Sequence, residues 1–195
     1  SFMADVAHQL RTPLAVLNAN VDTMEDRQTA SSLKTDVNAL SRMVEGLLAE
    51  TKIEDLEIGT NDRADLSLVA RSVAAELGGL AIKSKRSIEV IGPDRAVWVW
   101  GSLPALQQAV RLLVENAVDQ TAAGSMVSIE VTPDPAIRVI DRGPGIPDDM
   151  KPRIFMLGLR ADQRGEGDRQ GLTAVRRIAD AHGAEVGVMD GAGGG

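Results

Sequence analysis

His8, Gln9, Arg11 and Thr12 stand together just ahead of Pro13. On a helix His8, Arg11 and Thr12 share a face, because residues three and four apart are neighbours. An exposed imidazole titrates near ~6.5, so at pH 7 it is substantially neutral and usable as a nucleophile. By itself such a histidine is equally a solvated surface residue. Asn116 sits inside the apolar run Leu112-Leu-Val-Glu-Asn116-Ala-Val118. Its neutral amide oxygen suits Mg²⁺, which keeps several waters and takes phosphate oxygens for the rest. A satisfied buried asparagine fits the same pattern. Asp141-Arg-Gly143-Pro-Gly145 offers a carboxylate that can accept from an amino group, with glycines that admit close backbone approach. An ordinary Gly-Pro turn has that composition too.

Composition removes many competing chemistries. The 195 residues are enough to bury a real core, and 44% hydrophobic with 25% charged is an ordinary globular balance. A net charge of -7 argues against nucleic acid or an anionic membrane surface as partner, since both need a basic face. With no cysteine there is no thiol nucleophile or thiolate metal site, and with two histidines, His8 and His182, a zinc site is improbable. No apolar run approaches the ~18 residues of a membrane span.

The candidates must be positioned by two different kinds of structure. Met3, Val6, Leu10, Leu14, Leu17, Val21 and Met24 keep heptad spacing, and Leu33, Val37, Leu40, Val44 and Leu47 resume it after the polar break at 25–31. A two-in-seven stripe is the narrow seam of a coiled coil or four-helix bundle. The pattern predicts an antiparallel helical hairpin over residues 1–56, its second helix capped by Ser31 or Ser32. Two such helices cannot cover each other fully, which predicts a homodimeric four-helix bundle. His8 lies about 200° around the helix from Leu10 and points to solvent, and Pro13 should bend the helix one turn beyond it.

From residue 62 the heptads stop and helices mix with strands. Leu66–Lys83 reads as a helix. Ser87–Ile91 and Ala96–Trp100 read as a strand hairpin about the Gly92-Pro-Asp94 turn, with Trp98 and Trp100 packed into the core. Ser102 should cap a helix carrying Asn116. Strands are expected at 126–132, 136–141 and 185–189, and a final helix over 171–181. The segment 142–170, rich in Gly, Arg and Asp, has the length of a functional lid or of a disordered stretch. The fold class expected is α+β, a helical hairpin followed by an α/β sandwich over 62–195.

Order and spacing then tie the pieces together. Phe2-Met-Ala-Asp-Val-Ala-His8-Gln-Leu-Arg-Thr-Pro13-Leu resembles the H-box of sensor histidine kinases. Leu113-Val-Glu-Asn116-Ala, Asp141-Arg-Gly143-Pro-Gly145-Ile and Arg153-Ile-Phe155 resemble the N, G1 and F boxes of their GHKL-type ATP-binding domain. Gly167-Asp-Arg-Gln-Gly171-Leu172 stands where the second glycine box belongs, in divergent form. The resemblance implies the catalytic core of a two-component sensor histidine kinase. Mg-ATP would bind between the Asn116 helix and the lid, with Asp141 on the adenine amino group and Asn116 on Mg²⁺. Gly143, Gly145, Gly171 and Leu172 would line the nucleotide. The γ-phosphoryl would pass to His8, oriented by Gln9, and then to an aspartate of a response-regulator receiver domain. Thr12 would orient water in the reverse, phosphatase reaction. Domain swinging about residues 56–62 would carry the nucleotide to the histidine, and His182 would belong to a helix-ending turn.

Several positions depart from the family pattern. Gln9 replaces a carboxylate, Leu112 a polar residue, Asp119 a cation, Gly158 an aromatic, and Arg169 and Gln170 a glycine and a leucine. A carboxylate at Asp119 faces phosphates with the wrong sign. These changes keep a second expectation open: a kinase-weakened dimer acting as phosphatase, phosphotransfer module or scaffold. With His8 so near residue 1, and Gly191-Ala-Gly-Gly-Gly195 where another strand would follow, the chain reads as the cytoplasmic portion of a longer membrane-associated sensor, lacking its last strand.

Overall fold

The computed structural model describes residues 2–24, 26, 29–30, 33–34, 36–37, 40–41, 44, 58–155 and 170–191. They fall into two compact units, Ser1–Leu56 and Glu57–Gly195.

In the first unit helix α1 (Phe2–Asp22) runs without interruption through Pro13. The described residues between Thr29 and Val44 are helical as well. The expected serine caps, Ser31 and Ser32, lie outside the described residues. Asp26 makes capping contacts ahead of them, its carboxylate accepting the Thr29 N–H at 3.3 Å and hydroxyl at 2.7 Å. Leu14, Val21, Val37 and Val44 form a buried cluster, with Met24 and Ala30 against it. Leu10, Leu17, Leu33 and Leu40 remain 38–49% exposed. Within each helix the buried pair is seven residues apart, and so is the exposed pair. The heptad therefore serves two faces, one closing the hairpin and one turned outward.

The second unit runs β1 (Arg63–Asp65), α2 (Leu66–Lys83), β2 (Ser87–Ile91), β3 (Trp98–Trp100), α3 (Leu103–Gln120), β4 (Met126–Thr132), β5 (Ala136–Ile140) and α4 (Gln170–Ala181). β4 is central in a three-stranded sheet ordered β2-β4-β5. It pairs parallel to β2 (Val90↔Ile129) and antiparallel to β5 (Glu130↔Arg138). A parallel neighbour needs a long crossover, and α3 lies within it. β4 alternates as a half-covered strand must, with Val127, Ile129 and Val131 buried and Ser128, Glu130 and Thr132 only half-buried. Its inner face meets Val69, Val73 and Leu77 of α2 and Val110, Val114 and Val118 of α3 in one core. The fold class is α+β, helices layered on a small mixed sheet.

Four expectations need correction. Ser87–Ile91 and Trp98–Trp100 do not form a hairpin: β2 joins β4, and β3 pairs antiparallel with β1 through Arg63↔Trp100 and Asp65↔Trp98. Trp98 and Trp100 are not core residues but are each 60% exposed. The inner face of that ribbon is held by Ala64 and half-buried Val99, and period-two alternation sends both indoles outward. The Arg63 guanidinium lies 4.4 Å from the Trp100 ring centroid, a cation–π contact. Residues 185–189 form no strand ladder, although half-buried Val186 and Val188 alternate with exposed neighbours. Ser102 stands at the N-cap of α3 but makes no side-chain cap bond, and Pro104, the second residue of the helix, has no N–H to offer it.

Asp65 ties the ribbon to α2. Its Oδ1 accepts the Ser67 N–H and the Val97 N–H, each at 2.9 Å, and the residue is 8% exposed. One carboxylate oxygen thus caps α2 and fixes the approach to β3.

Candidate functional site

Leu112, Asn116 and Gln120 occupy successive turns along one side of α3. Asn116 is half-buried, and each neighbour on this stripe meets a glycine from another element. A Cβ on Gly171 would lie 3.2 Å from Leu112 Cδ2. A Cβ on Gly143 would lie 3.2 Å from the Gln120 carbonyl oxygen and 2.8 Å from Asp141 Oδ1. The start of α4 and the loop after β5 therefore dock on α3 one turn before and one turn after Asn116.

The loop is built around Asp141. Its Oδ1 accepts the Gly143 N–H at 2.8 Å, a local side-chain turn. Among the described residues no hydrogen bond reaches its second carboxylate oxygen. Gly145 has φ +75°, a left-handed conformation that a side chain would strain. The last turn of α3 is anchored from behind. The Thr121 hydroxyl donates to the Ala117 carbonyl at 2.9 Å, and Arg86 donates through Nε to the Thr121 carbonyl at 3.0 Å.

Residues 156–169, with the first part of the divergent glycine box and Gly158, lie outside the described residues. Both flanks are anchored. Ile154 and Phe155 are 4% and 7% exposed, and Leu172 is 4% exposed. Leu172 thus points into the interior, and Gly171 is the half-buried member of that pair. Lys151, just before Phe155, donates to Asp148 at 2.5 Å and to the two Asp190 carboxylate oxygens at 2.6 and 2.7 Å. These bonds hold Asp148 below its ordinary 3.8 and raise Lys151 above its ordinary 10.5.

In the helical unit His8 and Gln9 lie in α1; their side chains are outside the described residues. Thr12 and Pro13 are exposed on the same helix. Asp119, three residues after Asn116, is also exposed.

Two features of the site were not read from the sequence: the contact of Gly143 with Gln120 and that of Gly171 with Leu112. The glycines were legible as places of close approach, but what approaches them depends on the packing of α4 and the Asp141 loop on α3. The four-residue spacing Leu112–Asn116–Gln120 was the available signal.

These residues fit an adenine nucleotide with its magnesium. Asp141 offers an acceptor held at a fixed angle, and Asn116 a neutral oxygen between two Cβ-free contacts. Mg²⁺ bound mainly by phosphates and water needs few protein ligands.

Similarity to known proteins extends over both units. Residues 1–56 match the His Kinase A (phospho-acceptor) domain, and residues 101–195 match the histidine kinase-, DNA gyrase B- and HSP90-like ATPase family. The chain is 30% identical over 187 residues to the sensor histidine kinase GtrS of Pseudomonas aeruginosa, covering 95% of this chain and 38% of that protein. It is 27% identical to the signal transduction histidine-protein kinase BaeS of Escherichia coli, covering 95% of this chain and 42% of that one. The chain thus spans less than half the length of either relative. Among solved structures it is similar to full-length ShkA in complex with AMPPNP, with a TM-score of 0.65 and 24% identity over 98% of this chain and 43% of that one. It is also similar in fold to the cytoplasmic segment of the histidine kinase QseC, with a TM-score of 0.56 and 22% identity over 81% of this chain and 88% of that one. With a phospho-acceptor hairpin followed by an ATPase-type α/β unit, the chain belongs to the sensor histidine kinases of two-component systems.

Proposed function

We propose that this chain transfers the γ-phosphoryl group of ATP to a ring nitrogen of His8 and passes it on to an aspartate of a response-regulator receiver domain. The observation that carries the reading is the Leu112–Asn116–Gln120 stripe, flanked by Gly171 and Gly143, in a chain that also bears the His8 motif. Asp141 would accept from the adenine amino group through the oxygen not bonded to Gly143. Asn116 would hold Mg²⁺, which when bound neutralises phosphate charge. Gly143 and Gly145 shape the loop that faces the base, and Gly171 with buried Leu172 sets the far wall. Gln9 would orient the imidazole, since an amide bonds but is a poor proton acceptor. Exposed Thr12 is available to orient water when the regulator is dephosphorylated. Rate acceleration in this class comes from positioning and electrostatics.

The exposed leucines 10, 17, 33 and 40 support a homodimer closed by a second copy of the hairpin. No described helix is long and apolar enough to cross a membrane; the reading is of the cytoplasmic portion of a membrane-associated sensor. One observation favours a second reading. Asp119 places an exposed carboxylate beside Asn116, where phosphates favour a cation, and a phosphatase or scaffold tolerates that.

Incubation with γ-labelled Mg-ATP tests the proposal. An acid-labile, base-stable label, absent in His8→Ala with the dimer and nucleotide affinity intact, is expected. A folded dimer that takes up no label moves the assignment to the phosphatase or scaffold.

A further inference from the structure

His182 closes α4 and its ring is committed on both sides. Nδ1 donates to the Ile178 carbonyl at 2.7 Å, which leaves Nε2 to accept the Ser102 N–H at 3.0 Å. Ser102 is the N-cap of α3, and its own side chain makes no cap bond. The first amides of a helix have no partner within it, so the imidazole satisfies one of them from the end of another helix. Gly101 faces the same ring so closely that a Cβ there would collide with the imidazole Cδ2 and Nε2.

α4 therefore meets α3 at two separated points, His182 on Gly101–Ser102 and Gly171 on Leu112. The chain runs from 171 to 182 on one helix and from 102 to 112 on the other. At ~1.5 Å per residue these are rises of about 16 and 15 Å, so the two contacts match only when the helices lie antiparallel in one register. Leu112 is one turn from Asn116.

We propose that His182 is a positioning residue for the nucleotide site: its bond to Ser102 sets the axial register of α4 on α3, and so places Gly171 and the C-terminal flank of the 156–169 segment beside Asn116. The inference rests on the kinase reading for its functional consequence but not for the register itself. Losing the bond lets α4 slide, and the Gly171 contact slides with it.

The test uses the whole 195-residue chain with three substitutions. His182→Phe keeps a ring against Gly101 and removes the acceptor. His182→Gln offers an amide oxygen near the place of Nε2. Gly101→Ala pushes the imidazole away. Amide exchange at Ala174 and Val175 is followed without nucleotide, and Mg-ADP affinity is measured by calorimetry. Expected are faster exchange in α4 and roughly tenfold weaker Mg-ADP binding for His182→Phe and Gly101→Ala, with His182→Gln close to the parent. Exchange that changes only around Gly101–Leu103, or unchanged Mg-ADP affinity in a folded His182→Phe, overturns the proposal. Should His182→Phe not fold, a His182→Gln variant as disturbed as Gly101→Ala overturns it, and a His182→Gln close to the parent supports it. A parent chain that does not bind Mg-ADP overturns the kinase reading instead, and the exchange data then decide the register alone.

Discussion

A methyl group on Gly171 would stand 3.2 Å from Cδ2 of Leu112, so the first turn of α4 rests on the turn of α3 that precedes Asn116. The neighbour is the end of a flexible side chain, so adjustment is possible and measurable. Gly171→Ala should weaken Mg-ADP binding, and Leu112→Ala in the same chain should restore part of it. A double-mutant cycle on thermal stability is expected to give a coupling of about 0.5–1 kcal/mol. Additive effects within ~0.3 kcal/mol would mean that the two residues do not press on each other.

Gly143 is less forgiving, because a Cβ there meets Asp141 Oδ1 at 2.8 Å and backbone at Gln120. Gly143→Ala must move the Asp141 carboxylate or the loop. The chain should lose roughly 1–3 kcal/mol of stability, and Mg-ADP affinity should fall by more than the Gly171→Ala change costs. Calorimetric titration beside thermal melting checks both, and an unaltered nucleotide affinity would remove Asp141 from the base-binding role.

Asp65 is a structural counterpart remote from that chemistry. Asp65→Ala leaves the Ser67 and Val97 amides without their acceptor, at a cost of about 1–3 kcal/mol. Asp65→Asn keeps an acceptor oxygen and should cost less. A melting temperature that falls equally for both would locate the effect in charge, through Arg71 at 3.8 Å, rather than in capping.

The Lys151 cluster predicts a pH window. The Lys151 hydrogen bond, then its charge, depresses Asp148, so that contribution is present above 3.8 and is lost as pH falls through the depressed value. Hydrogen bonds to Asp148 and Asp190 raise Lys151, so its contribution is present below 10.5 and is lost as pH rises through the raised value. The tie therefore holds across neutral pH and opens at the acid and alkaline ends. In Lys151→Met the Asp148 carboxyl should titrate higher in a carbon-detected NMR titration. Global stability should hardly change, because both aspartates are largely exposed.

Much of this architecture was legible in advance, for reasons that differ by element. The heptads of the hairpin, the alternation of β4 and the spacing on α3 are local periodicities set by side-chain burial, and each is visible in a single segment. Strand partnership is not local. Ser87–Ile91 and Trp98–Trp100 are separated by a turn that suits a hairpin, yet β1, a three-residue strand beside the Asp65 cap, takes β3 as its partner. The tryptophans were misplaced for the same reason, since their face depends on which strand lies beside them. At the site, Asn116, Asp141 and the glycines stood out by type and order. The Gln120 carbonyl and the Leu112 methyl that meet those glycines are ordinary groups without a motif, and only the packing of α3 reveals them.

The outward indoles have one more consequence. The chain has two tryptophans and no tyrosine, and both indoles stand on one side of a two-stranded ribbon in the second unit. Intrinsic ultraviolet emission from this protein is therefore a voice from a single address. A melt followed by that light alone would trace the α/β unit while the hairpin bearing His8 came apart in silence, so the two need separate instruments.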